Sequence, residues 1–297
     1  MDAMILANVR EFVRTGTKPA RDTTVIFFAD EEAGGRFGSH WLVDHHPEFF
    51  EGATEAISEV GGYSVTLPTP TGDPVRAYLL QTAEKGLAWL TLRAHGRASH
   101  GSVPTQENAI VRLAEAITRI DQHHWPREYV ASVRELLDGV SSITGTLYAD
   151  DDVDALLAHL GGARDFVTGT LQDTVNVTML TAGYKHNVVP QTAEAAIDCR
   201  FLPGHQDSLL ATLRALAGPH VEVIEGWIDI SVDSPRDGAL VDAMTRALRA
   251  EDPGAHVLPY CLSAGTDNKA LNTLGIRGYG FSPLRLPPDL DFVPLFH

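Results

Sequence analysis

The sequence predicts an α/β domain that is interrupted by a smaller, inserted α+β domain. Helix and strand patterns alternate at the start of the chain, give way to strands interspersed with two amphipathic helices, and return towards the end. Alternating elements are typical of a layered α/β domain with a parallel sheet, whereas strands with two helices are typical of a small α+β domain. We therefore expect residues 1–85 and 229–297 to form one domain and residues 86–228 to form the insertion.

The α/β domain is predicted from its periodic apolar residues. Residues 4–13 carry apolar side chains at helical spacing, and this helix is expected to end at Gly16. Residues 23–29, with the sequence TTVIFFA, are a continuous apolar and β-branched run, which is typical of a central strand covered on both faces. The other expected elements are short helices or strands at residues 39–45, 55–58, 240–248, 256–259 and 277–281.

The inserted domain is predicted from strands and two helices. Residues 87–94 alternate like a strand with one solvent-facing side, and residues 110–120 carry apolar side chains along one helix face. Residues 122–165 are polar and helix-like. The remaining patterns are two strands paired through residues 183–190, one helix and a last strand, at residues 175–180, 193–201, 209–216 and 221–224.

Composition excludes several classes of partner and structure. The 297 residues are 44% hydrophobic and 21% charged, which is typical of a globular chain. The formal net charge is −16 and no long basic run is present, so neither nucleic acid nor a membrane surface is an expected partner. The sequence contains no apolar stretch of roughly 18 residues that could span a bilayer. The two cysteines, Cys199 and Cys261, fit a reducing compartment, and the N-terminus lacks the pattern of a signal peptide, so we expect a cytoplasmic protein.

Carboxylates follow two of the predicted strands. Asp30, Glu31 and Glu32 come directly after the TTVIFFA run, and Glu59 follows the strand at 55–58. Ligands of open α/β sheets bind beyond the carboxyl ends of strands, and carboxylates with one or two histidines suit Zn, Mn or Co. An acidic first turn of a helix, which the helix dipole favours, explains the first cluster about equally well.

Four further segments contain residue types that carry chemistry. His100 lies in HGRASHGSVP, and a lone histidine there is more often a loop residue than a ligand. Arg200, which follows Asn187 at the end of a predicted strand, could bind a carboxylate in bidentate fashion, although a surface ion pair is as common. The small residues of 263–267, SAGTD, would let backbone amides approach a ligand or would only form a turn. His297 is the last residue.

Taken together and in order, these segments resemble metallopeptidase family twenty of clan MH. That family includes acetylornithine deacetylase, succinyl-diaminopimelate desuccinylase, aminoacylase and carboxypeptidase G. Each segment alone is a weak signal, but the five span nearly the whole chain at family-like spacing. They are FFADEEAGGRFGS, SEVGG, EKGLAWLTLRAHGRASHGSVPTQENAI, HNVVPQTAEAAIDCRFLPG and SAGTDNKALNTLGIRGYGFSPL.

The resemblance implies a zinc-exopeptidase-like catalytic domain interrupted by an α+β, ferredoxin-like lid that commonly dimerises. It implies two zinc ions in a complete site, with cobalt or manganese as alternatives. Glu31 then corresponds to the general base that activates a water. Glu32 corresponds to a ligand of one metal, Glu59 to a ligand of the other, and His297 to the final histidine ligand.

The resemblance also assigns roles in substrate binding. His100 corresponds to the lid histidine that reaches the site of a neighbouring subunit and steadies the oxyanion. Asn187 and Arg200 correspond to contacts with the substrate carboxylate and the oxyanion, and Gly265 and Thr266 belong to the loop that lines the pocket. The implied substrates are acyl-amino acids or dipeptides, and the implied assembly is a homodimer through the lid.

Two departures from the family pattern lead to a specific expectation. In the family, a His-x-Asp motif on an earlier strand and a bridging aspartate, in a Gly-Arg-Gly-x-x-Asp-Met-Lys-like segment, come before the part that this sequence resembles, and a Gly-x-x-Glu stretch comes after the last histidine. This sequence contains none of these three features at those places. We expect a catalytic domain shortened at both ends that keeps three of five metal ligands. Weak metal occupancy and little hydrolysis by this chain alone follow from that expectation.

Two hypotheses therefore stand beside each other. The first is a metal-dependent hydrolase of amide or peptide bonds, and the second is a non-catalytic, dimerising or binding remnant of the same fold. An in-frame Gly-Arg-Gly-x-x-Asp-Met segment in the DNA upstream of Met1 would favour the first. A serine hydrolase is disfavoured because no G-x-S-x-G elbow follows a strand.

Overall fold

The computed structural model describes residues 1–288 and 290. Its helices are α1 (Asp2–Thr15), α2 (Ser39–His45), α3 (Ala109–Asp121), α4 (Ala131–Thr144), α5 (Asp154–Leu157), α6 (Arg164–Thr168), α7 (Gln206–Ala217), α8 (Ala239–Glu251) and α9 (Asn268–Thr273). Its strands are β1 (Glu55–Ser58), β2 (Tyr63–Leu67), β3 (Val75–Glu84), β4 (Gly86–His95), β5 (Ser99–His100), β6 (Thr174–Ala182), β7 (Val188–Val189), β8 (Thr192–Phe201), β9 (Val221–Asp229), β10 (Val232–Asp233), β11 (His256–Leu262) and β12 (Arg277–Gly280).

The first sheet is organised around β3. Strands β2, β10 and β12 pair with β3 in antiparallel orientation, and β11 pairs with it in parallel. Strand β1 adds to the sheet through a parallel ladder with β12. The sheet is therefore mixed, whereas the alternation of elements predicted a parallel sheet. Eight consecutive residues of β3 are buried, which makes it the central strand.

The polar, helix-like region that the sequence left unassigned packs on this first sheet. Within α4, Val133, Leu136, Leu137 and Val140 recur at i, i+3, i+4 and i+7 and are fully buried. These side chains join those of α5 and α6 in one apolar cluster with β2, β3 and β11. We call the first sheet with these helices, α8 and α9 the body. The predicted insertion, residues 86–228, includes these three helices, although they pack on the first sheet. Its boundaries stay a prediction.

The second sheet forms the α+β unit that the sequence predicted. Its strand order is β6–β8–β4–β9, all antiparallel, and the chain runs β4–α3–β6–β8–α7–β9. This is the βαββαβ order of a ferredoxin-like domain. Helices α3 and α7 cover one face, where they pack on alternate residues of β4 and β8. We call this sheet, with α3, α7 and the short ladder of β5 and β7, the lid. The open face of its four-stranded sheet carries the polar residues of β8.

The strand predicted at residues 23–29 is wrong. The structure assigns no strand there, and no described strand pairs with these residues. Ile26 and Phe28 contact the apolar cluster of α2 and α9, but Val25 and Phe27 are 40% and 51% exposed. The segment has the composition of a central strand, but a strand exists only where a neighbour completes its ladder of hydrogen bonds.

Two further observations concern the cysteines and the possibility of a membrane-spanning helix. Cys199 and Cys261 are both buried and free. Within the described residues, no helix is long and apolar enough to cross a membrane. The predicted cytoplasmic location is not tested by either observation and stays a prediction.

The packing of α4 on the body gives a direct test of the core. We expect Leu136→Ala to lower the free energy of unfolding by about 2–5 kcal/mol, because Leu136 is fully buried among the side chains of the first sheet. Urea denaturation followed by circular dichroism measures this change.

The matched control is Leu147→Ala, which removes the same atoms from a side chain that is 89% exposed. Its effect should stay within about 0.5 kcal/mol. Equal losses in the two variants would show that α4 is not packed as described.

Candidate functional site

Glu31 and Glu32 lie in a tight loop that connects residue 30 to α2. The loop begins at Asp30, whose φ of 67° is unusual for a residue other than glycine. The Asp30 carboxylate accepts a hydrogen bond of 2.9 Å from the backbone N–H of Phe37, and its carbonyl accepts one of 2.7 Å from Gly35. These bonds close the loop and hold Glu31 half-buried, while Glu32 is exposed.

Glu59 lies in a second strained turn, directly after β1. Val60 has a φ of 61°, which is a genuine outlier for a β-branched side chain. The turn continues through Gly61, whose backbone lies so close to β12 that a Cβ would be 2.6 Å from the Gly280 carbonyl oxygen. Backbone strain of this kind persists only where the surrounding structure imposes it, and it concentrates at functional sites.

The two turns bring acidic side chains together. Burial, together with the negative charges of Glu59, Asp267, Glu32 and Glu84, raises the pKa of Glu31 to about 7. Burial is also the main cause of the raised pKa of Glu59 and of Asp267. The sequence pointed to the loop of Asp267 but not to its carboxylate as a member of this cluster.

The described residues do not by themselves fit a metal centre. Across residues 1–288 and 290, no three His, Cys, Asp or Glu side chains are placed to hold an ion. The clustered acids create the negative potential that a cation would neutralise, but Glu32 and Glu59 find no third ligand. The predicted ligand His297 lies outside the described residues.

The predicted pocket loop, residues 263–267, is anchored to the end of β3. The backbone N–H and the hydroxyl of Thr266 donate hydrogen bonds of 3.0 and 2.6 Å to the Glu84 carboxylate. The Ser58 hydroxyl at the end of β1 donates to the Thr266 hydroxyl at 3.4 Å. The Lys269 side chain leaves no room for a Cβ at Gly265, because a Cβ there would be 2.4 Å from Cε of Lys269. Thr266 is 5% exposed, so its visible role is to hold the loop; its predicted contact with substrate stays a prediction.

His100 and Asn187 are neighbours, although 87 residues separate them in the chain. Strands β5 and β7 pair, and the backbone N–H of Gly101 donates to the Asn187 carbonyl at 2.9 Å. The Asn187 amide lies 3.5 Å from Nε2 of His100, and the other ring nitrogen lies 2.8 Å from the Ser102 hydroxyl. Both side chains are exposed on the lid.

Arg200 is held by a neighbouring acid. Its guanidinium donates two hydrogen bonds, of 2.7 and 2.9 Å, to the Asp198 carboxylate, which also accepts one of 3.1 Å from the Trp89 indole. Burial raises the pKa of Asp198, but the bonds to Arg200 outweigh it and leave that pKa below its ordinary value. A substrate carboxylate would therefore compete with Asp198 for Arg200.

A contact that sequence patterns did not indicate joins the Glu31 loop to the lid. The His40 ring lies 3.2 Å from the Asp229 carboxylate at the end of β9, and it meets the Trp227 ring edge-on at 5.3 Å. The Arg36 guanidinium lies over the same indole at 5.1 Å. These partners are some 190 residues apart in the chain, so no local pattern could have found them.

The comparisons with known proteins agree with this architecture. Residues 82–224 match the family model M20_dimer, a peptidase dimerisation domain. The M20 family metallo-carboxypeptidase Sso-CP2 from Sulfolobus solfataricus superimposes with a TM-score of 0.58 at 19% identity, over 85% of this chain and 60% of that one. The chain is therefore similar in fold to a metallo-carboxypeptidase, and its lid is similar to a peptidase dimerisation domain.

Two curated relatives extend the likeness to sequence. The N-fatty-acyl-amino acid synthase/hydrolase PM20D1 of Xenopus tropicalis is 25% identical over 96% of this chain and 57% of its own length. Aminoacylase-1 of Homo sapiens is 24% identical over 96% of this chain and 61% of its own length. The resemblance to metallopeptidase family twenty is thus confirmed, and the chain spans about 60% of the length of these relatives.

The contact between His40 and Asp229 predicts a pH-dependent coupling of body and lid. The hydrogen bond to Asp229 is the main cause that raises the pKa of His40 above its ordinary value of 6.5. Because the folded pKa is raised, the stabilisation is complete below about pH 6.5 and is lost as the pH rises through the raised value. A double-mutant cycle of His40→Gln and Asp229→Asn, measured by urea denaturation, should give a larger coupling at about pH 6 than at about pH 9.

Asp229→Asn is chosen for the cycle because it removes the charge of the carboxylate and keeps an oxygen acceptor. A coupling energy that does not change between the two pH values would contradict the contact.

Proposed function

We propose that the chain carries the catalytic machinery of a hydrolase that cleaves amide bonds in small acyl-amino acids or dipeptides. The observation that carries the proposal is Glu31, a half-buried carboxylate whose pKa is raised to about 7 among other acids. The relatives support the reaction class, because their names describe an acyl-amino acid hydrolase and an aminoacylase.

Glu31 has the properties of a general acid and base at neutral pH. A carboxylate with a pKa near the working pH can take a proton from an attacking water and return it to the leaving amine nitrogen. A Glu31 with an ordinary pKa would be a weaker base and would be almost fully ionised when the amine needs a proton. Burial beside Glu59 and Asp267 supplies this adjustment.

The substrate contacts that we propose lie on the lid. Asn187 and Arg200 are proposed to bind the carboxylate and the oxyanion, and the exposed His100 ring beside Asn187 is proposed to serve the site of a second subunit. Gly265 and Thr266 are proposed to line the pocket. Two zinc ions, held in part by Glu32, Glu59 and His297, are proposed for the complete site.

The proposed assembly is a homodimer through the lid. Strand β6 is the edge of the second sheet, and its Met179 and Leu180 side chains are 67% and 64% exposed. Ile110 and Val111 on α3 are also exposed. An apolar edge strand next to an apolar helix face is typical of an association surface.

We expect Glu31→Gln to abolish the low hydrolysis that we expect of a chain with three of the five metal ligands. Loss of a general base lowers kcat by about 10²–10⁴-fold, and glutamine keeps the shape of the side chain. The assay is release of free amine from N-acetyl amino acids, after the metal content of the protein has been measured with and without added Zn²⁺, Co²⁺ or Mn²⁺. The matched control is Glu251→Gln, an exposed carboxylate at the end of α8 that should leave kcat unchanged.

Two outcomes would count against the proposal. Hydrolysis that survives Glu31→Gln would remove its role as a base. A wild-type protein that binds no metal and hydrolyses none of these substrates would favour the alternative, a dimerising or binding remnant of the same fold.

We expect Leu180→Glu to convert the dimer into a monomer. The substitution places a charge on each copy of the apolar edge strand, where two copies would face each other. Size-exclusion chromatography with light scattering measures the mass. Leu147→Glu, at a still more exposed site outside the lid, should leave the dimer intact, and a wild-type monomer would refute the assembly.

A further inference from the structure

The chain passes between body and lid at four places. Residues 84–86 lead from β3 into β4, and residues 122–130 lead from α3 to α4. Residues 169–174 lead from α6 into β6, and residues 230–231 lead from β9 to β10. We call these the first to fourth crossings. The orientation of the lid depends on how firmly they are held together.

Lys85 ties the first crossing to the third. Its side chain is completely buried, and its ammonium donates to the carbonyls of Gly169 and Gln172 at 2.9 and 2.7 Å. A third bond, of 3.2 Å, goes to the Thr174 hydroxyl at the start of β6. All three protons of the ammonium thus have an acceptor on one segment.

Lys269 ties the first crossing to the fourth. It lies on α9 of the body and is 3% exposed. Its ammonium donates to the carbonyl of Lys85 at 2.5 Å and to the carbonyl of Ile230 at 2.6 Å. One side chain from the body therefore holds the strand that enters the lid and the strand that leaves it.

Buried acids compensate the two ammonium groups. Burial lowers the pKa of Lys85 to about 8 and also lowers that of Lys269. The charge of Asp173 opposes this effect at Lys85, and the charges of Glu84 and Asp229 oppose it at Lys269. A buried charge is tolerated only where opposite charges and hydrogen bonds replace water, and both lysines meet that condition.

We propose that Lys85 and Lys269 are positioning residues that fix the orientation of the lid relative to the body. Lys269 has the larger effect, because it binds both crossings that flank the lid. Its charge partner Glu84 is the acceptor for Thr266, so the same cluster holds the pocket loop. Disruption of the cluster loosens the lid and the loop together.

This inference deepens the proposed function, since a fixed lid would present His100 and Arg200 at constant positions. Its test does not depend on hydrolysis. A measured change in lid orientation would stand even if no substrate were cleaved, and hydrolysis could be found even if the lysines had no effect on the lid.

The test is a distance measurement between body and lid in the full chain. Spin labels on Leu147→Cys, 89% exposed on the body, and Ala211→Cys, exposed on α7, report the separation by double electron–electron resonance. The native Cys199 and Cys261 are buried, so they escape labelling. Dilution with unlabelled protein suppresses distances between subunits.

In this background, Lys269→Met keeps the aliphatic stem and removes the ammonium. We expect a broader or shifted distance distribution, because the Lys85 and Ile230 carbonyls lose their shared donor. The control is Leu136→Ala, which destabilises the body without removing a hydrogen bond to a crossing and should leave the distribution unchanged. A distribution for Lys269→Met that matches the wild type, or a broadening equal to that of Leu136→Ala, would overturn the proposal.

A milder variant keeps the proposal testable if Lys269→Met does not fold. Glu84→Gln removes the charge that faces Lys269 but keeps an oxygen that can accept from Thr266. A broader distribution, smaller in extent than that expected for Lys269→Met, supports the proposal. An unchanged distribution in a folded Glu84→Gln protein counts against it.

Discussion

The rest of this structure depends on the burial of Glu84, where the central strand of the body runs into the central strand of the lid. A carboxylate that is removed from water must be compensated by hydrogen bonds and opposite charge. Thr266 and Gln81 donate to Glu84, and Lys269 supplies the positive charge. Because Thr266 belongs to the pocket loop and Lys269 to α9, satisfying one acid holds both of them against the end of β3, where the lid starts.

The candidate site is built differently, since its acids lie together and burial raises the pKa of Glu31, Glu59 and Asp267. Asp30 and Val60 adopt left-handed backbone conformations that place Glu31 and Glu59 near each other, and the pKa of Glu31 rises as a result. The packing of the surrounding core must therefore offset the backbone strain and the repulsion between the acids. Such an arrangement has no value for stability, which is why it supports a chemical role.

Sequence patterns predicted the elements whose residues carry the period of their structure, such as α2, α3, β1 and the pairing of β6 with β8. They missed β3, because its Ala, Leu, Gln and Glu residues favour helices and only tertiary burial makes them a strand. Glu31 and Glu59 are candidates because of the resemblance and because each follows a predicted strand, although the strand before Glu31 does not form; their roles stay proposals. The bond between His40 and Asp229 depends on tertiary geometry, which local patterns do not contain. Asp198 and Arg200 are i and i+2 on one face of β8, so their pairing was within reach of the strand pattern.

The exposed TTVIFFA segment has a consequence for handling the protein. It has high β propensity, no charge and no proline, and two of its large side chains face water. Those are the properties of sequences that stack into intermolecular sheets, and nothing in the segment blocks the addition of a foreign strand. Aggregation nucleated at residues 23–29 is therefore a colloidal hazard of this chain. A lysine at the outward-facing Phe27 is the economical way to suppress it, since such gatekeeper charges interrupt stacking without touching the core.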